Sequence, residues 1–261
     1  MGKMIAVAGK GGTGKTLVAA LLIRYLVDDQ RSTVLAIDAD PSTNLDLTLG
    51  TSIDETVGGI REETAQQVSS GTFVSGISKP EYLELRINQA LVEEEGFDLL
   101  AMGRPEGPGC YCAANNMLRA TIDRLSRSYD YVIIDNEAGL EHLSRRTTQN
   151  VDLLLIISDP TMRGLSTAER VAQLIHELKT HVGHIRLMVN RVPTDEQGVP
   201  ALAPQLQQFI ADSQLKLAGL IPLDPLVAEF DATGRPLVEL PEDTPARRAV
   251  KEAFDSLDGL L

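Results

Sequence analysis

The chain has 261 residues and a formal net charge of −13, with 43% hydrophobic and 23% charged residues. These are the proportions of a soluble globular protein long enough to bury a sizeable core. So acidic a balance excludes the basic footprint by which proteins hold nucleic acid, and anionic membrane surfaces repel it, so no nucleic-acid or membrane partner is expected. No apolar run approaches the roughly 20 residues that span a bilayer. No charged-then-apolar leader precedes the first strand, so the expectation is a cytoplasmic protein with one α/β domain over residues 1–261.

Residues 4–8 are a short apolar run of the length of a buried parallel strand, and residues 17–26 are apolar and helix-forming without a breaker. Between them stands Gly9-Lys10-Gly11-Gly12-Thr13-Gly14-Lys15-Thr16, which fills every fixed position of the phosphate-loop pattern G-x-x-x-x-G-K-[ST]. Glycines let backbone N–H groups turn inward as an anion nest, and the helix N-terminus adds partial positive charge. The pattern predicts a nucleotide held by Gly11, Gly12, Thr13, Gly14, Lys15, Thr16 and Leu17. Lys15 would lie at the β- and γ-phosphates and the Thr16 hydroxyl on Mg²⁺. The fold implied is an α/β P-loop NTPase, a mostly parallel central sheet flanked by helices on both faces.

Residues 33–37 read as a second buried strand opening into Asp38-Ala39-Asp40-Pro41-Ser42-Thr43-Asn44. Open α/β sheets bind ligands at strand carboxyl ends, which aims these carboxylates at the phosphates. The same Asp-Pro-Ser composition also suits a helix cap or an Asx turn. Residues 50–76 read as glycine-punctuated loop with short helix. Residues 80–95 read as a helix whose Glu93-Glu94-Glu95 end is a solvated face, followed by a strand at 97–102.

That strand runs into a Gly/Pro loop, residues 103–112, carrying both cysteines of the chain, Cys110 and Cys112, ahead of a helical stretch at 113–127. In an extended segment C-x-C puts both sulfurs on one side. A helix N-terminus aimed at them would lower the thiol pKa values and favour metal-binding thiolates. Two thiolates do not complete a tetrahedral site, but a two-fold dimer supplies four, which suits Zn²⁺ or thiolate-ligated Ni²⁺. A disulfide-prone or merely packed pair is the other reading of this spacing, although a reducing compartment argues against a structural disulfide.

Tyr131-Val132-Ile133-Ile134-Asp135 is a buried strand delivering a carboxylate to the phosphate edge, and Asp135 is the candidate to bind Mg²⁺ through water. Gly139 would free the following loop to respond to the γ-phosphate. Glu137 and His142 are candidate metal ligands or plain loop and interface residues. Residues 152–158 read as another strand, and 166–179 as a helix beginning at a serine cap. His176, His181 and His184 lie near that helix's end, where imidazole suits the dipole. Strands at 185–189 and 216–221 lead to Asn190-Arg191 and Pro222-Leu223, and residues 247–261 read as a mixed-charge helix.

With Lys10 directly after its first glycine, the phosphate loop resembles the deviant Walker A of the MinD/ParA/nitrogenase-iron-protein class of ATPases. The resemblance implies that Lys10 reaches across a dimer to the partner's nucleotide and that Asp40 orients the attacking water. It also implies that Asp38 lies near the Mg²⁺ shell and that Asn190, Arg191, Pro222 and Leu223 clasp adenine. Joined by Cys110-Tyr111-Cys112 and by Asp135-Asn136-Glu137-Ala138-Gly139-Leu140-Glu141-His142, these motifs are similar to those of the CooC/AcsF-type maturation ATPases of carbon monoxide dehydrogenase and acetyl-CoA synthase. The likeness spans essentially the whole chain, with residues 50–97 the least anchored. It implies a homodimer promoted by ATP or metal, with ATP/ADP, Mg²⁺, and Ni²⁺ or Zn²⁺ on Cys110 and Cys112. The target would be one of those two nickel enzymes.

Three other functions fit a phosphate loop. An iron–sulfur carrier or electron donor of the nitrogenase-iron-protein type also shares four cysteines across a dimer, but they lie far apart in sequence. A MinD/ParA-like positioning ATPase is disfavoured by the acidic charge and the lack of a basic amphipathic tail. A small-molecule phosphotransferase is the third.

Overall fold

The computed structural model describes residues 2–73, 76–104, 122–137, 150–177 and 181–260. Its amino-terminal part contains β1 (Lys3–Gly9), α1 (Lys15–Asp28), β2 (Val34–Asp38), α2 (Leu45–Leu49), α3 (Val57–Ser69), α4 (Lys79–Gln89), β3 (Val92–Glu94) and β4 (Phe97–Ala101). There follow β5 (Tyr131–Asp135), β6 (Asn150–Ser158), α5 (Met162–Glu177), β7 (His181–Val192), α6 (Pro204–Asp212), β8 (Leu217–Pro222), α7 (Pro225–Thr233) and α8 (Pro245–Asp255). The strands form one eight-stranded sheet in the order β3-β4-β2-β5-β1-β6-β7-β8. Every pairing is parallel except β3 with β4.

The central strands are apolar on both faces because helices cover both, as a parallel sheet requires. Ile5, Val7, Ile133 and Leu155 pack on one face against α1 and the Val250, Ala253 and Phe254 side of α8. The alternate residues Ala6, Ile134, Leu154 and Ile156 face Leu165, Ala168 and Ile175 of α5 and Leu206 of α6. Each fully buried Leu or Ile contributes about 1.5–3 kcal/mol of apolar transfer. These two layers therefore anchor the sheet whose carboxyl edge carries the site. The expected fold is the observed one.

Four local expectations are corrected. The helix expected over 80–95 stops at Gln89, and Val92–Glu94 instead turns through Gly96 and pairs antiparallel with β4, Val92 opposite Leu99. The glutamates thus protect a short sheet edge, where charge discourages pairing with another chain. The stretch read as loop with a short helix holds the 13-residue α3, started by Thr56, whose hydroxyl accepts the Gly59 N–H at 3.1 Å. The helix expected from Ser166 begins a turn earlier at Met162, because Thr161 Oγ1 accepts the Gly164 N–H at 3.0 Å. His176 lies in its last turn, whereas His181 and His184 belong to β7, opposite Asn150 and Leu153. They do not share a helix end. The expected helix at 113–127 is described only from Ile122 onward, as a helical stretch to Leu125 and a 3₁₀ turn over Ser126–Ser128.

Candidate nucleotide site

β1 and α1 are joined by the phosphate loop, and Gly14 caps the helix in a left-handed conformation, φ 89°. A Cβ on Gly14 would stand 2.2 Å from the Asn190 amide nitrogen, so both backbone and space demand glycine here. The Thr13 hydroxyl donates to the Lys10 carbonyl at 2.9 Å, closing the loop on itself. Lys15 is buried at the base of the loop, 8% exposed. Lys10, by contrast, is exposed and stands outside the cleft described below.

Asp38 and Asp135 end neighbouring strands and are partners in register. Their surroundings differ. The Asp38 carboxylate accepts three backbone N–H groups, from Asp40, Asn44 and Leu45, each at 3.0 Å. It pins the loop that carries Asp40 and starts α2. Burial pushes its pKa up to about 6, against the pull of those N–H groups. Asp40 itself forms the Asx turn that Asp-Pro-Ser favours, one oxygen accepting the Ser42 N–H at 2.9 Å, and it still lines the cleft.

Asp135 is 1% exposed, and its Oδ1 has no hydrogen-bond partner. Burial pushes its pKa up to about 7; the Thr16 hydroxyl and the Lys15 charge oppose this, while Asp38 and Asp40 add to it. A buried, unpartnered carboxylate oxygen beside a threonine hydroxyl is costly unless a cation completes it. Mg²⁺ takes few protein ligands, one or two carboxylates with the rest water and phosphate oxygen, and this hard-oxygen set fits it. Among the described residues no group of three or more His, Cys, Asp and Glu is arranged to hold a metal by itself. Glu137 lines the cleft; Cys110, Cys112, Gly139 and His142 lie outside the described residues.

The loop, Asp40 and the ends of β7 and β8 border one cleft of ≈ 860 Å³. Its lining includes Gly11, Gly12, Gly14, Lys15, Thr16, Leu17, Asn190, Arg191, Pro222 and Leu223, so the residues expected around phosphate and base converge except Thr13, which is buried and does not line it. Asn190, however, is not simply a base reader. Its amide nitrogen donates to the Thr13 carbonyl at 2.9 Å and its oxygen accepts the Arg191 N–H at 2.9 Å. Val227, Ala228 and Asp231 of α7 and Arg235 also line the cleft and were not anticipated. The available signal was Asp224-Pro225, a helix start directly after a strand. Asp224 Oδ1 indeed accepts the Leu226 N–H at 3.0 Å.

The family model described as the CobQ/CobB/MinD/ParA nucleotide binding domain matches residues 4–237. The chain belongs to this family. It is an ATPase of the MinD/ParA class. An uncharacterized ATP-binding protein of Methanocaldococcus jannaschii is 43% identical over 97% of this chain and 98% of its own. The carbon monoxide dehydrogenase accessory protein CooC of Rhodospirillum rubrum is 34% identical over 88% of this chain and 87% of its own. In fold, the septum site-determining protein MinD complexed with Mg-ADP from Pyrococcus horikoshii matches with a TM-score of 0.70 at 21% identity, covering 100% of this chain and 97% of that one. Among the described residues no helix is long and apolar enough to cross a membrane.

Proposed function

We propose that this ATPase is a metallochaperone. In this reading it binds Ni²⁺ as cargo on Cys110 and Cys112 of two protomers and uses ATP to help load carbon monoxide dehydrogenase or acetyl-CoA synthase. The observation that carries the ATPase half is the unpartnered, buried Asp135 oxygen beside Thr16, a residue that lines the cleft. The cargo half rests on the C-x-C pair together with the CooC relative. The segment bearing those cysteines leaves β4 at the nucleotide edge, where the Met102 N–H donates to the Asp38 carbonyl at 2.8 Å. A change in the Asp38–Asp40 loop is therefore passed through that hydrogen bond to Met102, which precedes Cys110 by a few residues in the chain.

The chemistry is phosphoryl transfer to water. Water oxygen bonds to the γ-phosphorus, the bond from γ-phosphorus to the β–γ bridging oxygen breaks, and ADP, phosphate and a proton leave. Lys15 offsets the charge on the β- and γ-phosphates, and Asp40 at the cleft mouth orients the water. Thr16 and Asp135 would hold Mg²⁺, which neutralises developing charge on the phosphate oxygens. Lys10, exposed in one protomer, is free to reach a partner's nucleotide, and the whole chain acts as one ATPase domain. Loss of the γ-phosphate relaxes the Asp40 and Asp135 loops and changes the affinity of the paired cysteines for the ion.

A positioning ATPase with a membrane-binding tail fits less well. In α8, Val250, Ala253 and Phe254 are buried, while Arg247 and Lys251 pair with Asp28 at the end of α1 and with Asp29 just beyond it. Anaerobic nickel titration of wild type and of Cys110→Ser/Cys112→Ser tests the proposal, with light scattering alongside. One nickel per two chains, with thiolate charge-transfer bands absent from the variant, supports it. Unchanged nickel binding in the variant removes the cysteines and leaves an ATPase with another cargo.

A further inference from the structure

A phosphate loop works only if its peptide planes present N–H groups to the anion, which turns carbonyls outward, and every such carbonyl needs a partner. Here two of them receive side chains from one place, the end of β7. The Gly12 carbonyl accepts Arg191 Nη1 at 3.0 Å, and the Thr13 carbonyl accepts the Asn190 amide at 2.9 Å. These are the carbonyls between the two left-handed glycines, Gly12 at φ 79° and Gly14 at φ 89°, where the loop has most freedom to collapse. Arg191 is itself held at φ 58°, unusual for a residue with a side chain, and the Asn190 oxygen holds its N–H in that turn at 2.9 Å. Strain of this kind persists where the surroundings impose it, and it concentrates at functional sites.

We propose that Asn190 and Arg191 are positioning residues that brace the phosphate loop in its anion-binding shape. The proposal rests on the nucleotide-site reading above. Asn190 is 1% exposed and lines the cleft, and after its two bonds it still has one N–H and one lone pair to offer a base. One amide plane therefore joins the base end of the cleft to the phosphate end. Arg191 is exposed, lines the cleft beside Asn190 and supports the loop through the Gly12 carbonyl.

The test is equilibrium binding of Mg²⁺-ATP and of Mg²⁺-tripolyphosphate, which carries the phosphates without a base, to wild type, Asn190→Ala, Arg191→Met and Arg191→Lys. Unfolding midpoints of the ligand-free proteins are measured in parallel. Loss of the brace should weaken tripolyphosphate binding about tenfold in Asn190→Ala and in Arg191→Met, the scale of one hydrogen bond. Arg191→Lys should recover most of the loss, and the unfolding midpoints of the exposed Arg191 variants should barely move. Asn190→Ala should weaken ATP further than tripolyphosphate, because the base contact goes too. Arg191→Met should weaken both ligands equally. Tripolyphosphate affinity unchanged in both variants overturns the brace and leaves Asn190 a base reader. A loss of binding that only follows a lowered unfolding midpoint overturns it as well. Wild type binding neither ligand overturns the nucleotide-site reading itself. Should Asn190→Ala fail to fold, the exposed Arg191 variants decide the question.

Discussion

The exits of β2 and β5 differ although the two strands run parallel, in register, and each ends in a buried aspartate. At the β2 exit, Asp38 is saturated by backbone N–H groups and acts as a pin. At the β5 exit, Asp135 keeps one oxygen open. Burial raises the pKa of both carboxylates. Only the second leaves an oxygen without a partner, the Thr16 hydroxyl and the Lys15 charge offsetting the burial in part, and a ligand-free protein tolerates such a cost where a ligand will remove it. The lesson is that a buried carboxylate at this edge is sorted by its lone pairs, not by its depth.

The largest expected effect separates the two. Asp135→Asn should lower Mg²⁺-dependent phosphate release about 10²–10³-fold, as removal of one transition-state electrostatic partner does. Above neutral pH it should also stabilise the ligand-free protein by about 1–3 kcal/mol, since a buried charge is gone. Asp38→Asn should do the opposite to stability. Its amide would face backbone N–H groups, costing about 1–3 kcal/mol. Phosphate release and chemical denaturation of the two variants check this inversion. Equal stability changes of the same sign would break the comparison.

The pH dependence is the next effect. Both groups have folded-state pKa values above the ordinary 3.8, about 6 for Asp38 and about 7 for Asp135. Between about pH 4 and about pH 7 the folded protein therefore holds more protons than the unfolded chain, so stability falls as pH rises. The contribution is full below about pH 4 and gone above about pH 7. Thermal unfolding of the ligand-free protein across this range should show the decline, and Asp135→Asn should remove its upper part. A smaller effect extends the comparison to Asp224, which caps two helices by accepting the Leu226 and Ala246 N–H groups at 3.0 and 3.2 Å. Asp224→Ala should cost about 1–2 kcal/mol and leave the Mg²⁺ dependence of hydrolysis as it was, measured in the same two assays.

Much of this was legible in residue order. The phosphate loop, the β-branched run into Asp135 and the apolar strands announce themselves through local pattern, and the strand ends carry the predicted cleft residues to one place. What the sequence concealed depends on partners far along the chain. The edge strand β3 was hidden because Glu93 and Glu94 continue a helical-looking stretch, and only pairing with β4 reveals it. The Asn190 bond to Thr13 spans 177 positions, and nothing near either residue signals it. Likewise, Asp38 and Asp135 read alike as strand-end carboxylates, and only the return of the chain through Asn44 and Leu45 tells them apart.

The most direct test of the account is the Mg²⁺ dependence of ADP-bound thermal unfolding in wild type, Asp38→Asn and Asp135→Asn. The account predicts that Mg²⁺ raises the midpoint of the wild-type complex and of Asp38→Asn by similar amounts, and leaves that of Asp135→Asn nearly unchanged. A full Mg²⁺ response in Asp135→Asn, or its loss in Asp38→Asn alone, would contradict the assignment of the open oxygen as the cation's place.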